Sequence, residues 1–335
     1  MFADCKRVEE IAGAGLTALP SDTLDAPLVL RGAFSEWPAV QAATESDQAA
    51  ADYLSGFYNG QPVSVLASHP GNRGRFFYQP DSKTMNFHTT AERLDVVLGG
   101  ILRERASAEP VAIAVQAISA PDVLAGLEDA NPNLLVPNGT NARLWIGNAV
   151  TVAPHFDVAD NIAVVVAGRR RFVLFPPEQT PNLYPGPLDQ TPAGVPISMV
   201  PLGAPDFDRF PKYRQALDAA LVAELEPGDA IFIPYLWWHG VQSLAPFNVL
   251  MNYWWNRDGA TAGYPFIQLL QLATVMFRGM PADQRTSWRA LFDHYVFETG
   301  GDPMRALDQV HRHDLPTIDA PTIAALKRVL REVLD

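Results

Sequence analysis

Ala153-Pro-His-Phe-Asp-Val158 and the later run Glu226-Pro-Gly-Asp-Ala-Ile-Phe-Ile-Pro-Tyr-Leu-Trp-Trp-His239 decide how this chain is read. Side chains alternate along an extended strand, so His155 and Asp157 fall on one face. Pro227-Gly228-Asp229 signals a turn, Ala230-Ile-Phe-Ile reads as a short apolar strand, and Pro234 ends it. His239 then arrives from a neighbouring strand. Two imidazoles and one carboxylate on one side of a metal, with the other side open, form the donor set of mononuclear non-haem iron sites. A lone His-x-Asp pair is weak evidence, and a histidine beside Trp237 and Trp238 also suits a hydrogen-bonded core position. The combination of strand-spaced pair, long interval, turn and apolar strand favours the metal.

Composition sets bounds. The chain has 335 residues, 48% hydrophobic and 19% charged, which is globular rather than disordered. A net charge of -12 argues against non-specific binding to nucleic acid or anionic membranes. Arg169-Arg170-Arg171 is the candidate local basic patch. One cysteine, Cys5, excludes an intrachain disulfide and a cysteine-based zinc site. No apolar run approaches the ~20 residues of a membrane span. The first residues lack the hydrophobic core of a secretory signal, so a cytoplasmic protein is expected.

Many short apolar runs, punctuated by 29 prolines and 23 glycines, predict a β-rich centre. Strands are expected at Ala26–Gly32, Pro62–Ala67, Arg75–Tyr78 and Val111–Ile118. Helices are expected from Glu36, with Pro38 in the first turn, from a Thr90 cap to a Gly99-Gly100 stop, and over 121–130. Arg143–Gly147, Ala159–Gly168 and Arg171–Pro177 read as a meander, with Gly168 in a hairpin turn. Residues 178–220 are mostly loop, with a helix from Lys212 to Ala220, and make a candidate lid. Val249–Trp255 is the last strand. Amphipathic helices then follow over Phe266–Phe277, Pro281–Phe297 and Pro321–Leu334. Their broad apolar faces need a partner, and a homodimer through these helices is expected. The division is 1–256 for a β domain with an N-terminal α/β extension and 257–335 for a helical region. His294, His311 and His313 read as solvent-facing, and His69 and His88 fall outside any ligand pattern.

From Asn148 to Trp255 the chain resembles the Jumonji-C and cupin-like oxygenases, closest to the asparaginyl-hydroxylase branch that acts on hypoxia-inducible factor. The marks are His155-Phe-Asp157, Asn161, Gly168, Phe172-Val-Leu-Phe-Pro-Pro-Glu-Gln, Leu183-Tyr-Pro, Asp206-Phe-Asp-Arg-Phe-Pro, Glu226-Pro-Gly-Asp, Ile233-Pro-Tyr-Leu-Trp-Trp-His239 and Asn252-Tyr-Trp254. The resemblance implies a mainly β fold, a double-stranded β-helix (jelly roll) with flanking helices and a C-terminal helical segment. It implies Fe(II) held by His155, Asp157 and His239, and 2-oxoglutarate as cosubstrate. Asn161 and Asn252 match polar positions of the cosubstrate pocket, and Trp254 matches an aromatic that closes it. Arg170 stands where the family commonly has a lysine for the distal carboxylate, and its fork bonds differently. A family hydroxyl is absent at Val152, with Thr151 one place earlier as the substitute. A family tyrosine is replaced by Ala114.

A facial triad leaves room for a 2-oxo acid and O2, and the protein then binds and orients the group to be oxidised. Arg170, Phe172 and Leu174 share one strand face, so Arg170 enters the barrel if the apolar pair marks the interior. The competing reading makes all three arginines a solvated edge. The expected activity is an Fe(II)- and 2-oxoglutarate-dependent dioxygenase hydroxylating a peptide, a protein side chain or a small molecule. The alternatives are a cupin metalloenzyme that does not use 2-oxoglutarate, and a metal-binding interaction protein without oxygenase activity.

Overall fold

The computed structural model describes residues 2–20, 24–79, 84–188, 191–192, 194–257, 266–303, 305, 327–328 and 331. Two compact units divide the chain, Met1–Ile267 and Gln268–Asp335. The first is mainly β. Its larger sheet runs in the order Glu9–Ala12, Leu28–Arg31, Ala230–Ile233, Asp160–Ala167, Asn248–Trp255, Ala142–Gly147, Ala112–Ser119, Val63–Ser68, Phe87–Glu92. Its smaller sheet runs Lys6–Arg7, Leu221–Leu225, Arg170–Phe175, Trp238–Ser243, Thr151–His155.

Alternation sorts the side chains into layers. Ala163, Val165, Ile231 and Ile233 of the larger sheet pack with Phe172, Leu174, Leu225 and Val241 of the smaller one. Their neighbours Val164, Val166 and Phe232 turn the other way, towards Trp37, the N-cap of the helix Pro38–Glu45, and towards Leu54 and Leu98 of the helices Asp47–Phe57 and Leu94–Glu104. Both faces of Asp160–Ala167 are therefore covered, and every residue in it is buried. This explains why residues 162–167 are a continuous apolar run rather than an alternation. Behind the smaller sheet, Val173, Phe175 and Trp238 pack with Tyr213 and Leu183 from the 178–220 segment. Trp237 turns instead towards the intersheet layer.

The strands expected as a meander are present, but they do not pair with one another. Asp160–Ala167 bonds to Ala230–Ile233 and Asn248–Trp255, whereas Arg170–Phe175 bonds to Leu221–Leu225 and Trp238–Ser243. Gly168, at φ 75°, passes the chain from one sheet to the other instead of closing a hairpin. Apolar periodicity locates strands but does not choose their partners. Three further expectations are corrected. Arg75–Tyr78 makes only isolated bridges, to Thr151 and Met85, and the strand paired with Val63–Ser68 is Phe87–Glu92. Thr90 therefore lies in a strand, the helix starts at Leu94, and it runs through Gly99-Gly100 to Glu104. The 121–130 helix is two short ones, split at Gly126 with φ 88°.

In the second unit, Phe277 packs against Trp288 and Phe292 at ring separations of 5.2 and 5.7 Å. This joins the helices Phe266–Arg278 and Ala282–Tyr295. His294 is exposed. The helix expected at 321–334 lies outside the described residues except at 327, 328 and 331, and His311 and His313 lie outside them altogether.

A Cβ at Gly168 would collide with the Phe247 carbonyl and the Asn248 side chain, at a φ that L residues rarely adopt. Gly168→Ala should lower the unfolding free energy by about 1–3 kcal/mol, seen as a lower urea midpoint at unchanged slope.

Candidate metal centre

His155 ends the strand Thr151–His155 and sits directly across from His239 in the antiparallel ladder with Trp238–Ser243. The imidazole rings are 4.4 Å apart between centroids. Asp157 lies just beyond the strand end, on a loop held by two bonds to the segment after Pro234. Leu236 N donates to the Asp157 carbonyl at 3.1 Å, and Tyr235 N to the Asp160 carboxylate at 3.0 Å. Leu236 takes φ 60° in this reversal, a strained choice for a branched residue. The donor atoms of His155, Asp157 and His239 all lie within 4.8 Å of one another. The Asp157 oxygen nearest His239 Nε2 is 3.6 Å away.

The surroundings prepare these groups for a cation. Nδ1 of His155 and of His239 each lies 3.0 Å from the carbonyl oxygen two residues earlier, Ala153 and Trp237. With Nδ1–H donating to that carbonyl, Nε2 keeps its lone pair for a metal. Desolvation, and then the neighbouring His239, pull the pKa of His155 down to about 4, so the ring is neutral near pH 7. Asp157 Oδ2 accepts from Asn161 Nδ2 at 3.1 Å and from Trp254 Nε1 at 3.0 Å. Asn161 Oδ1 in turn accepts from Asn252 Nδ2, and Asn252 Oδ1 from Trp145 Nε1. A continuous chain of donors thus fixes the carboxylate. Two imidazoles with Nε2 turned to one point and an oriented carboxylate suit Fe(II).

The triad opens on a cavity of about 440 Å³. Arg170 lines it with Phe172 on the inner strand face, and is 5% exposed. Its Nη2 donates to the Trp145 carbonyl at 3.3 Å, while its buried Nε has no partner. Burial pulls its pKa down to about 10, so it is still a cation at neutral pH. Arg171 points to the opposite side, bonding Glu224 and Gln242. The edge reading of the arginine run fails, because Arg170–Phe175 is paired on both sides; Arg171 meets Glu224 and Gln242 on the outer face, and Arg170 enters the cavity.

Asn161, Asn252 and Trp254 also line the cavity, but Thr151 does not. The register supplies the reason. His239 faces His155, yet Val241 faces Val152, so Ala153 and Pro154 together oppose the single residue Gly240. This β-bulge shifts the phase of the strand. Val152 turns inward against the intersheet core, and Thr151 pairs with Gln242 away from the cavity. A second bulge was also missed. Between Val115 and Ile118 the ladder slips, and Ala117 takes φ 52°. Gln116 and Ala117 both line the cavity as a result, whereas Ala114 packs in a separate cluster with Leu66 and Phe76. A glutamine interrupting an apolar strand was the available signal. Ser64, and Pro192, Gly194 and Ile197 from the 178–220 segment, complete the lining on other sides.

Fold and site together define a two-sheet β protein with a cluster of two histidines and an aspartate, able to hold one metal ion, on a cavity between its sheets. A family model described as a cupin-like domain matches residues 23–261, and the chain belongs to that family. Among its relatives, human HSPB1-associated protein 1 is 40% identical over 119 residues, 35% of this chain and 24% of that protein. Lysine-specific demethylase JMJ31 of Arabidopsis thaliana is 33% identical over 120 residues, 36% of this chain and 21% of its own. The tRNA wybutosine-synthesizing protein 5 of Gallus gallus is 32% identical over 146 residues, 39% and 42%. The chain thus spans about a quarter of the length of the first of these relatives. No helix among the described residues is long and apolar enough to cross a membrane.

If Asn161 and Trp254 orient Asp157, Asn161→Ala and Trp254→Phe should each weaken Mn(II) or Fe(II) binding about 10–100-fold in calorimetric titration, with an unchanged circular dichroism spectrum. Asp157→Ala should abolish stoichiometric metal binding.

Proposed function

We propose that this chain is an Fe(II)- and 2-oxoglutarate-dependent oxygenase that hydroxylates a peptide, a protein side chain or a small molecule. Arg170 is the observation that carries the reading. A buried guanidinium with an unsatisfied Nε costs several kcal/mol unless an anion reaches it. It lines the same cavity as the triad, so one small diacid can meet both. Its keto-acid end suits the metal and its distal carboxylate suits the Arg170 fork. Bound there, Fe(II) supplies the coupled oxidation of the 2-oxo acid and of a substrate C–H bond by O2.

The chain's residues supply the rest. His155, Asp157 and His239 would hold the iron at the wall of the cavity. Phe172, Val152, Val241 and Leu250 give the acid's carbon chain an apolar wall and exclude water. Gln116 and Ser64 offer polar contacts for the group to be oxidised. The lost family hydroxyl at Val152 favours a second reading, in which a different small acid occupies the Arg170 end. We place the protein in the cytoplasm, where reduced iron is available. The exposed apolar side chains Leu269, Val275, Met276, Leu291 and Phe297 support a homodimer through the helical region.

Anaerobic calorimetric titration of the Mn(II)-loaded protein should show 2-oxoglutarate binding, weakened about 100-fold or more in Arg170→Met at unchanged metal content. With Fe(II) and O2, the native chain should release succinate. Binding of another 2-oxo acid in preference would favour the second reading. Indifference of Arg170→Met to every acid would sink both. Light scattering after gel filtration should give twice the chain mass, and Leu269→Glu with Val275→Glu should return it to the monomer.

A further inference from the structure

A second hollow, of about 560 Å³, is lined by Arg73, Arg75 and Arg209 together with Phe77, Met199 and Asp206. It backs onto the metal cavity through two shared segments. Phe76 and Ile197 face the metal side, and Arg75, Phe77 and Met199 face this groove. The alternation of extended chain puts neighbouring side chains on the two sides of one wall.

Its charge runs against the rest of the molecule. The chain carries 37 acidic and 25 basic residues. Yet among the described residues none of the three guanidiniums is in an ion pair. Asp206 is turned towards its own backbone, its Oδ1 accepting from the N–H groups of Asp208 and Arg209. Arg75 is half-buried and stacks 4.6 Å over Phe77, and Arg209 lies 5.1 Å over Phe210. Stacking holds each planar fork in place before a ligand arrives, which lowers the entropic cost of binding. Desolvation also pulls the pKa of Arg75 down, the state in which an arriving carboxylate is most welcome.

We propose that this groove binds an acidic peptide segment, with Arg75 gripping a carboxylate and Arg73 and Arg209 flanking it. A polyanion fits less well. Nucleic-acid affinity is built from many phosphate contacts, and three cations set in a surface of net charge -12 supply few. A peptide needs only one or two carboxylates for the same forks. The groove lies behind the metal cavity's wall, so a bound segment sits alongside the reaction centre without entering it. The assignment stands whether or not the metal centre uses 2-oxoglutarate.

Fluorescence anisotropy on the full chain at low ionic strength tests it. The probes are a labelled short peptide rich in glutamate, its glutamine counterpart and a labelled oligouridylate of similar length. The glutamate peptide should bind, release with added salt, and bind about tenfold more weakly to Arg75→Gln and to Arg209→Gln. Arg75→Lys should recover part of the loss, and Mn(II) binding should be the same in all variants. Absence of binding, equal binding of the glutamine peptide, stronger binding of the oligouridylate, or indifference to both glutamine variants would each overturn the proposal.

Discussion

The cross-strand pairing of His239 with His155 is the constraint on which the rest depends. It sets two imidazoles beside each other, tilted by 51°, at the edge of the smaller sheet, and it fixes the phase of the adjoining strand. Because Leu174 pairs with His239 on the other side, Arg170 follows four residues along, on the same inner face. The two histidines and the Arg170 cation are therefore positioned by one set of ladder hydrogen bonds. A slip of one residue would turn every one of these side chains outwards. The apolar partners Phe172, Leu174 and Val241 resist that slip, since it would also empty the intersheet core.

Much of this was legible in the sequence because it rests on period two. Arg170 could be told from Arg169 and Arg171 by counting from Phe172 and Leu174. The triad could be assembled from a strand-spaced pair and a histidine after a turn and a short apolar strand. What escaped was wherever the period breaks. Thr151 was expected in the cavity as the substitute for the family hydroxyl absent at Val152. The bulge at Ala153-Pro154 instead turns Val152 inward and Thr151 away. Pro154 was the signal, since a proline inside a strand points to an edge or a bulge. The small Gly240 opposite it leaves room for the extra residue.

Partner choice was the other blind spot. Asp160–Ala167 and Arg170–Phe175 are separated by two residues, the usual mark of a hairpin. Here Gly168 sends them into different sheets. Local sequence cannot distinguish these outcomes, because both need a left-handed residue and two apolar strands. Burial could have: Asp160–Ala167 is apolar at nearly every position, and a strand covered on both faces belongs in the middle of a larger sheet. The Thr90 helix start failed for a related reason. Its strand lies at the sheet edge with most side chains exposed, so it carries no apolar alternation.

The two bulges share a consequence. Each adds one residue to a strand facing the cavity, and each re-aims a side chain there: Val152 in one, Gln116 in the other. The left-handed backbone of Ala117 costs of order 1 kcal/mol or more, a strain that regular pairing would avoid. Both irregularities face one cavity, and a third register shift, between Val249 and Leu250, lies in another of its wall strands. Cross-strand pairing therefore brings His155, His239 and Arg170 together, and the Leu236 N–H anchors the loop that carries Asp157. The breaks in pairing set what else the cavity presents, and variation among related chains is expected to concentrate there rather than in the ladder.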